Sequence, residues 1–292
     1  MQEFSPPYGE IETLSPLIRR ITANNPAPYT FKGTGTFIVG HGTVAVIDPG
    51  PDMPDHINAI MTSLKGEEIS HILVTHNHKD HSPGSDLLSE LSGAKIYAFD
   101  VGRQKYSEPD LEEGLDKNFK PDVILNDGDI IEGESWTIEA VHTPGHLSNH
   151  LCFSLHQEKA LFTGDHVMGW STTIVSPPDG NMQDYLNSLE KMMLRDDEIY
   201  YPTHGIPIEK PMKFIRQLFA HRLRRDKEII RAMENGAHTV EDMLAKVYPK
   251  IKKELHVAAS RTIFAHLIRL VDLGEVKCVG AVSESARYHP TK

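Results

Sequence analysis

The chain has 292 residues, of which 39% are hydrophobic and 24% charged, with a formal charge of −11. That is ordinary composition for a globular protein. No run approaches the roughly 18 apolar residues a membrane helix needs, and Met1 to Pro16 lacks the basic start and apolar core of an export signal, so a cytoplasmic protein with no membrane partner is expected. The two cysteines, Cys152 and Cys278, exclude a disulfide framework and argue against a cysteine zinc site; each reads as a small buried hydrophobe.

In chain order, Gly35–Val39 and Val44–Ile47 flank Gly40-His41-Gly42 and predict a hairpin, closed off by Asp48-Pro49-Gly50. Met53–Leu64 carries Ile57, Ile60 and Leu64 at helical spacing. The apolar stretch His71–Val74 predicts a buried strand and leads directly into Thr75-His76-Asn77-His78-Lys79-Asp80-His81. Pro83–Leu91 suits a helix with proline at its first turn. Ile96–Phe99, Trp136–Val141, Leu151–Leu155 and Ala160–Phe162 read as strands, Met182–Leu194 as an amphipathic helix and Ile199–Tyr201 as a last strand. Alternating β and α elements whose sheets are covered on both faces predict an α/β protein of αββα layering over residues 1–208.

The texture changes over residues 209–292. Lys210–Asn235 is a long charged helix. Thr239-Val240-Glu241-Asp242 resembles a capping box opening a helix through Val247. Leu255–Leu273 is a third helix with Gly274 at its C-terminal cap, and Val276–Val279 with Ala286–His289 makes a hairpin. Helix, helix and hairpin predict a small winged-helix-like module. Residues 206–292 hold 17 Lys and Arg against 10 Asp and Glu, a balance of +7, and residues 1–205 balance at −18. A pole of this kind suits an anionic partner or a solvated basic helix face. Arg222, Arg225, Lys250, Lys252 and Lys253 are the candidate contacts to an RNA backbone.

The chemistry lies where strands run out. Residues 76–81 crowd three imidazoles and a carboxylate that compete for protons unless a cation holds them. His146 in Thr143-Pro144-Gly145-His146, Asp165 in Thr163-Gly164-Asp165 and His204 in Pro202-Thr203-His204-Gly205 complete seven metal-binding side chains. His76 and His78, two apart on an extended segment, share a side and combine with His146; Asp80 and His81 face the other way and combine with His204. Asp165 is the natural bridge, since a carboxylate offers an oxygen to each of two cations. Asp80 and Asp165 are the carboxylates placed in catalysis. Two divalent cations, zinc first with manganese or iron compatible, would supply a bound hydroxide as nucleophile, so no Ser or Cys is required. His166, beside the bridge, is a candidate donor or proton shuttle behind the ligands. His142 and His150 are expected to be structural or to support the ligands from behind rather than to bind metal, Asp48 to stabilise a turn, and Ser82, Gly84 and Gly145 to set loop geometry.

His-x-His-x-Asp-His, then Gly-His, Gly-Asp and a late His-Gly, resembles the metallo-β-lactamase fold superfamily over residues 15–210. That resemblance implies the αββα sandwich and the dinuclear centre. The chain also resembles the narrower β-lactamase-like protein 2 family, on Thr143-Pro144-Gly145-His146 with His150, Gly164–Gly169, Ser171-Thr172-Thr173, Asp184-Tyr185-Leu186, His221-Arg222 and Arg225-Asp226. This likeness implies either a single-stranded RNA endonuclease or a hydrolase of a small acyl thioester or ester, as in polyketide thioesterases. A lactone hydrolase or a glyoxalase II-like thioesterase belongs to that second class, although the Lys/Arg-rich tail differs from the glutathione-binding region of glyoxalase II. A binding protein on a relic fold, touching nucleic acid without cleaving it, would call for a lost ligand. None of the seven is missing.

Overall fold

The structure is a computed structural model and describes residues 4–102 and 114–291. Its first sheet has seven strands in sequence order: β1 (Ile11–Thr13), β2 (Ile18–Thr22), β3 (Gly35–Val39), β4 (Thr43–Ile47), β5 (Glu68–Leu73), β6 (Lys95–Ala98) and β7 (Val123–Ile124). Helix α1 (Pro54–Ser63) connects β4 to β5 and α2 (Gly84–Ser92) connects β5 to β6, so β4 to β7 run parallel. The second sheet contains β8 (Ile130–Glu132), β9 (Thr137–His142), β10 (Leu151–Leu155), β11 (Ala160–Gly164) and β12 (Ile199–Pro202), in the order β12-β11-β10-β9-β8. Helix α3 (Met182–Met193) lies between β11 and β12 in the chain and makes their pairing parallel.

Side-chain alternation sorts these strands into layers. Phe37, Val39, Ala45, Ile47 and Leu73 meet Leu151, Phe153, Leu155 and Phe162 between the sheets. Their neighbours Ile38, Val44, Val46 and Ile72 face the other way, onto Ile57 and Ile60 of α1 and Leu88 of α2. On the outer face of the second sheet, Cys152 and Leu161 pack with Tyr185 and Leu189 of α3. The αββα sandwich is therefore held by three apolar layers.

Helices α4 (Pro211–Glu234), α5 (Val240–Val247) and α6 (His256–Asp272) follow, with the hairpin β13 (Val276–Val279) and β14 (Arg287–Pro290). The Thr239 capping box is present, with Thr239 accepting from Asp242 N and Asp242 accepting from Thr239 N. A core of Ile229, Met243, Ile263, Leu267, Leu270 and Tyr288 closes this module. It does not hang free: Ala265 of α6 and Ile215 of α4 belong to the layer outside the second sheet, and Arg269 of α6 donates to Gln183 of α3 at 2.8 Å. No helix among the described residues is long and apolar enough to cross a membrane.

One strand in particular escapes the sequence pattern. β2 is buried along its whole length although it carries Arg19 and Arg20. Their guanidinium groups pair with Glu67 at 2.6 Å and Glu12 at 2.9 Å, which lets the stems bury while the charges stay compensated. No apolar alternation marks such a strand.

Candidate metal centre

Five strands end at one edge of the sandwich and build the cluster. Asp48 follows β4, Thr75 to His81 follow β5, His146 follows β9, Asp165 follows β11 and His204 follows β12. The turns that carry them need glycine where the chain is tightest. Gly164 has φ +49° and a Cβ there would lie 2.5 Å from His150 Nε2; Gly145 has φ +140° and its Cβ would lie 2.3 Å from the Tyr185 Cα. Both positions combine a left-handed or unusual backbone with no room for a side chain.

Three groups of donors converge, all buried: His76 with His78 and His146, His76 with His81 and Asp165, and Asp80 with His81 and His204. In the first, His78 Nδ1 lies 3.0 Å from His76 Nε2 and 3.1 Å from His146 Nε2. Donors of a tetrahedral zinc with bonds of about 2.0–2.1 Å stand about 3.3 Å apart, so these spacings are those of a ligand sphere. In the third, Asp80 Oδ2 lies 3.0 Å from His204 Nε2 and 3.3 Å from His81 Nε2. Asp165 turns Oδ1 to this trio, at 3.4 Å from His204 and 3.6 Å from His81, and Oδ2 to His146 at 4.0 Å. One carboxylate thus addresses both halves.

Hydrogen bonds on the far side of each ring fix which nitrogen keeps its lone pair. His146 Nδ1 donates to Ile174 O at 2.8 Å, His204 Nδ1 to Gly33 O at 3.1 Å and His81 Nδ1 to Asp48 Oδ2 at 2.8 Å. The Thr75 hydroxyl gives its proton to Asp48 Oδ2, so it accepts from His76 Nδ1 at 2.9 Å. Each of these four rings then points Nε2 inward, where in the neutral ring it carries the lone pair that a metal-binding histidine requires. His81 Nε2 and Asp165 Oδ1 are buried and have no hydrogen-bond partner. Leaving two such atoms unsatisfied is costly, and a shared cation satisfies both. The donor set fits a pair of metal ions.

Electrostatics separate the two halves. Burial, reinforced by neighbouring imidazoles, holds His76 well below the usual histidine range and His78 down to about 3, so these rings are neutral donors. At His81 burial also opposes charge, but Asp80, Asp165 and Asp48 outweigh it and raise the ring well above its ordinary value; His204 is raised in the same way by Asp165 and Asp80. Despite its own burial, Asp80 is held well below the usual carboxylate range by His81 and His204. The second half therefore attracts positive charge strongly.

The structure corrects several expectations around this core. Asp48 does more than stabilise a turn. It sits at φ +49°, fully buried, and its carboxylate accepts from Thr75 N, Thr75 Oγ1, His81 Nδ1 and Thr203 Oγ1. It aims His81 and ties three strand ends together. His166 is buried beneath Tyr185, with ring centroids 4.7 Å apart, and neither ring nitrogen has a hydrogen-bond partner; it is not the donor behind the ligands. His150 stands behind Asp165 instead, as an acceptor. Its Nε2 accepts from Asp165 N at 3.2 Å and its Nδ1 lies 3.0 Å from Thr143 Oγ1. His142 closes β9, bonds Ser148 O and stacks on Phe99. Asp48 carried only a weak sequence signal, because a single polar residue after a strand is most often a turn residue.

The tail cations divide. Arg222 is not a phosphate contact. It is fully buried, donates to Thr173 O and lies 5.1 Å over the Tyr185 ring. Arg225 is nearly as enclosed, bonded to Glu228 at 2.7 Å and to Val247 O at 3.1 Å. Both are spent inside the molecule, one of them on docking the module to the loop behind Asp165. Lys250, Lys252 and Lys253 are exposed.

Comparison with known proteins matches this geometry. The Metallo-beta-lactamase superfamily model covers residues 29–204. The chain belongs to the metallo-beta-lactamase superfamily. It is accordingly a hydrolase of that superfamily, and its C-terminal part matches the beta-lactamase associated winged helix domain over residues 239–284. Curated relatives include an atrochrysone carboxyl ACP thioesterase of Cryptosporiopsis sp. (strain 8999), 34% identical over 78% of this chain and 66% of that protein. Another is a beta-lactamase-like protein 2 homolog of Caenorhabditis elegans, 31% identical over 91% of this chain and 88% of that one. A beta-lactamase domain protein of Burkholderia ambifaria shares the fold at 20% identity and a TM-score of 0.81, covering 99% of this chain and 96% of its own. A metallo-beta-lactamase family protein of Thermus thermophilus does so at 21% and 0.77, covering 95% and 100%.

Proposed function

We propose that the chain is a dinuclear metal-dependent hydrolase of acyl thioesters. The observation that carries this reading is an apolar cleft of about 570 Å³ where the winged-helix module meets the catalytic sandwich. One wall holds Tyr29, Phe31, Met168 and Trp170 and the other Leu255 and Ala258. Phe31 and Trp170 stack in parallel with centroids 4.7 Å apart, and Trp170 keeps 38% of its surface exposed. The wall segment from Met168 to Ile174 is bonded to the cluster itself: Ile174 O accepts from His146, Thr173 Oγ1 donates to Asp165 O, and Gly169 N donates to His204 O. A flat or branched acyl group lying in this cleft would rest on the loop that holds His146, Asp165 and His204. The thioesterase names among the relatives agree with that chemistry.

In this reading His76, His78 and His146 hold one cation, Asp80, His81 and His204 the other, and Asp165 gives an oxygen to each. Imidazole and carboxylate donors suit zinc, with manganese and iron compatible. When bound, the pair supplies an acidified water as nucleophile and polarises the scissile carbonyl. The protein contributes the rest: Asp48 and Thr75 aim His81 and His76, His150 holds the Asp165 backbone, and the stacked Phe31 and Trp170 hold the acyl group. Cys152 is no rival nucleophile, since burial pushes its thiol up to about 12.

Cleavage of single-stranded RNA is the second reading, favoured by exposed Lys250, Lys252 and Lys253, of which Lys252 lines the cleft. The same centre attacks phosphorus or carbon. Parallel turnover of a short RNA, an acetyl thioester and a bulky aromatic acyl thioester by zinc-loaded protein tests the choice. We expect the bulky thioester to turn over fastest, and Trp170→Ala to raise its KM while leaving acetyl turnover unaltered. RNA turnover with no thioester turnover would sink the proposal.

A further inference from the structure

A second concavity lies outside the cleft. Where α5 returns against α4, a groove of about 740 Å³ is lined by His221, Arg224, Arg225, Glu228, Arg231 and Lys246. Four permanent cations from two helices face one carboxylate. That carboxylate, Glu228, is already held by Arg225 at 2.7 Å. Arg225 is itself fixed, with its guanidinium 4.1 Å over the Tyr248 ring and its Nε buried without an acceptor. Arg224 and Arg231 are exposed and have no ion-pair partner among the described residues. Lys246 donates to Asn235 O across the mouth of the groove. His221 Nδ1 is buried and likewise has no acceptor, and burial together with Arg222, Arg225 and Arg224 depresses this ring to about 4.

A solvated basic face spreads its charges and mixes their signs. Here they converge on one concavity, which costs self-repulsion unless an anion offsets it. Guanidinium forks match the oxygens of a phosphate group, and an ammonium opposite adds a point charge. The lining contains no Phe, Tyr or Trp, so the stacking platform of a single-strand binder is missing.

We propose that the groove between α4 and α5 is an anion site that takes the phosphate group of a small phosphorylated ligand, with Arg224, Arg231 and Lys246 as its donors and Arg225 as the residue that shapes it. The site lies outside the cleft, so it stands whether the centre cleaves a thioester or a phosphodiester.

The test is titration of the metal-loaded full chain with inorganic phosphate and, separately, with adenosine monophosphate, followed by backbone amide shifts so that binding at the metals and in the groove is resolved by position. We expect saturable shifts at Arg224, Asn235 and Lys246, weakened at least about tenfold in an Arg224→Gln/Arg231→Gln variant, or about 1.4 kcal/mol. Lys65→Gln/Lys95→Gln, exposed on the sandwich and outside the groove, should leave them within about twofold. Tighter binding of the monoester would identify an organic phosphate as the ligand, and equal binding a free phosphate. Shifts confined to the metal cluster, or undiminished in the Arg224/Arg231 variant, would overturn the site. A short single-stranded RNA that binds the groove more tightly than either probe would overturn the small ligand in favour of nucleic acid.

Discussion

The catalytic edge and the basic tail both concentrate ionisable side chains, yet one was legible in the sequence and the other was not. At the edge, the candidate metal donors converge because the strands that carry them all stop at the same side of the sandwich. In the tail, the positive balance splits among three fates. Arg222 is consumed in docking, Arg225 in shaping a groove, and Lys250, Lys252 and Lys253 reach solvent. Ligand crowding carries its own meaning, since buried imidazoles and carboxylates side by side must be paired with one another or hold a cation. A count of charges has no such constraint, because a long cationic side chain can bury its stem and spend its head on a carbonyl.

Removing the bridge breaks the edge most severely. Asp165→Ala deletes the oxygens that face both halves, and turnover and the affinity for both cations should fall by more than about a hundredfold, beyond what loss of a residue behind a ligand costs. Elemental analysis after dialysis, paired with activity, checks it. Two tightly held metals in the variant would show that the halves are independent.

Loss of Asp48 should come next. Asp48→Asn keeps the size but offers His81 and the Thr75 hydroxyl an amide, so affinity at the Asp80, His81 and His204 half should drop about 10- to 100-fold. The other half, whose rings lean on Ile174 O and Thr75, should lose less. Competition of the loaded protein with a graded chelator separates two metal-release steps in the wild type and moves one of them in the variant.

The same comparison explains how much of the molecule could be read in advance. Helices α1 to α6 follow their apolar spacing to within a residue or two, and the α5 capping box is visible as Thr239 to Asp242. β2 was hidden because Arg19 and Arg20 interrupt its apolar pattern, and their partners Glu67 and Glu12 are distant or unremarkable in sequence. The cluster of candidate metal donors was legible because strand ends and ligand types coincide. The role of Asp48 was not, since its meaning comes from which ring and amide it reaches. The stacked Phe31 and Trp170 lie 139 residues apart and become a wall only after the chain folds.

Arg222→Met tests the docking role. It leaves Thr173 O without its charged donor and removes the cation from the Tyr185 ring, so stability should fall by about 2 kcal/mol. Chemical denaturation measures this, and the loss should appear without any change in the salt dependence of RNA binding. A variant as stable as the wild type would show that the guanidinium contributes nothing net at the junction.

The smallest effect is expected from the cations that remain exposed. Replacing Lys250, Lys252 and Lys253 with glutamine removes three exposed charges, one of them from the cleft wall, without touching the cluster or the core. An acyl thioester carries its reacting carbonyl into an apolar cleft, so its turnover should change by less than about twofold, within what exposed charges contribute. A single strand of RNA responds differently, because each phosphate neutralised by a lysine releases counterions and contributes about 0.7 to the slope of log affinity against log salt. If all three lysines met phosphates, the slope would flatten by about 2 in the triple variant. Thioester turnover that holds steady, with a salt slope for RNA that is shallow and unmoved, is the outcome the proposed function requires. A slope that flattens by that amount while metal content stays intact would return these lysines to the role that the sequence assigned them and make RNA the substrate to pursue.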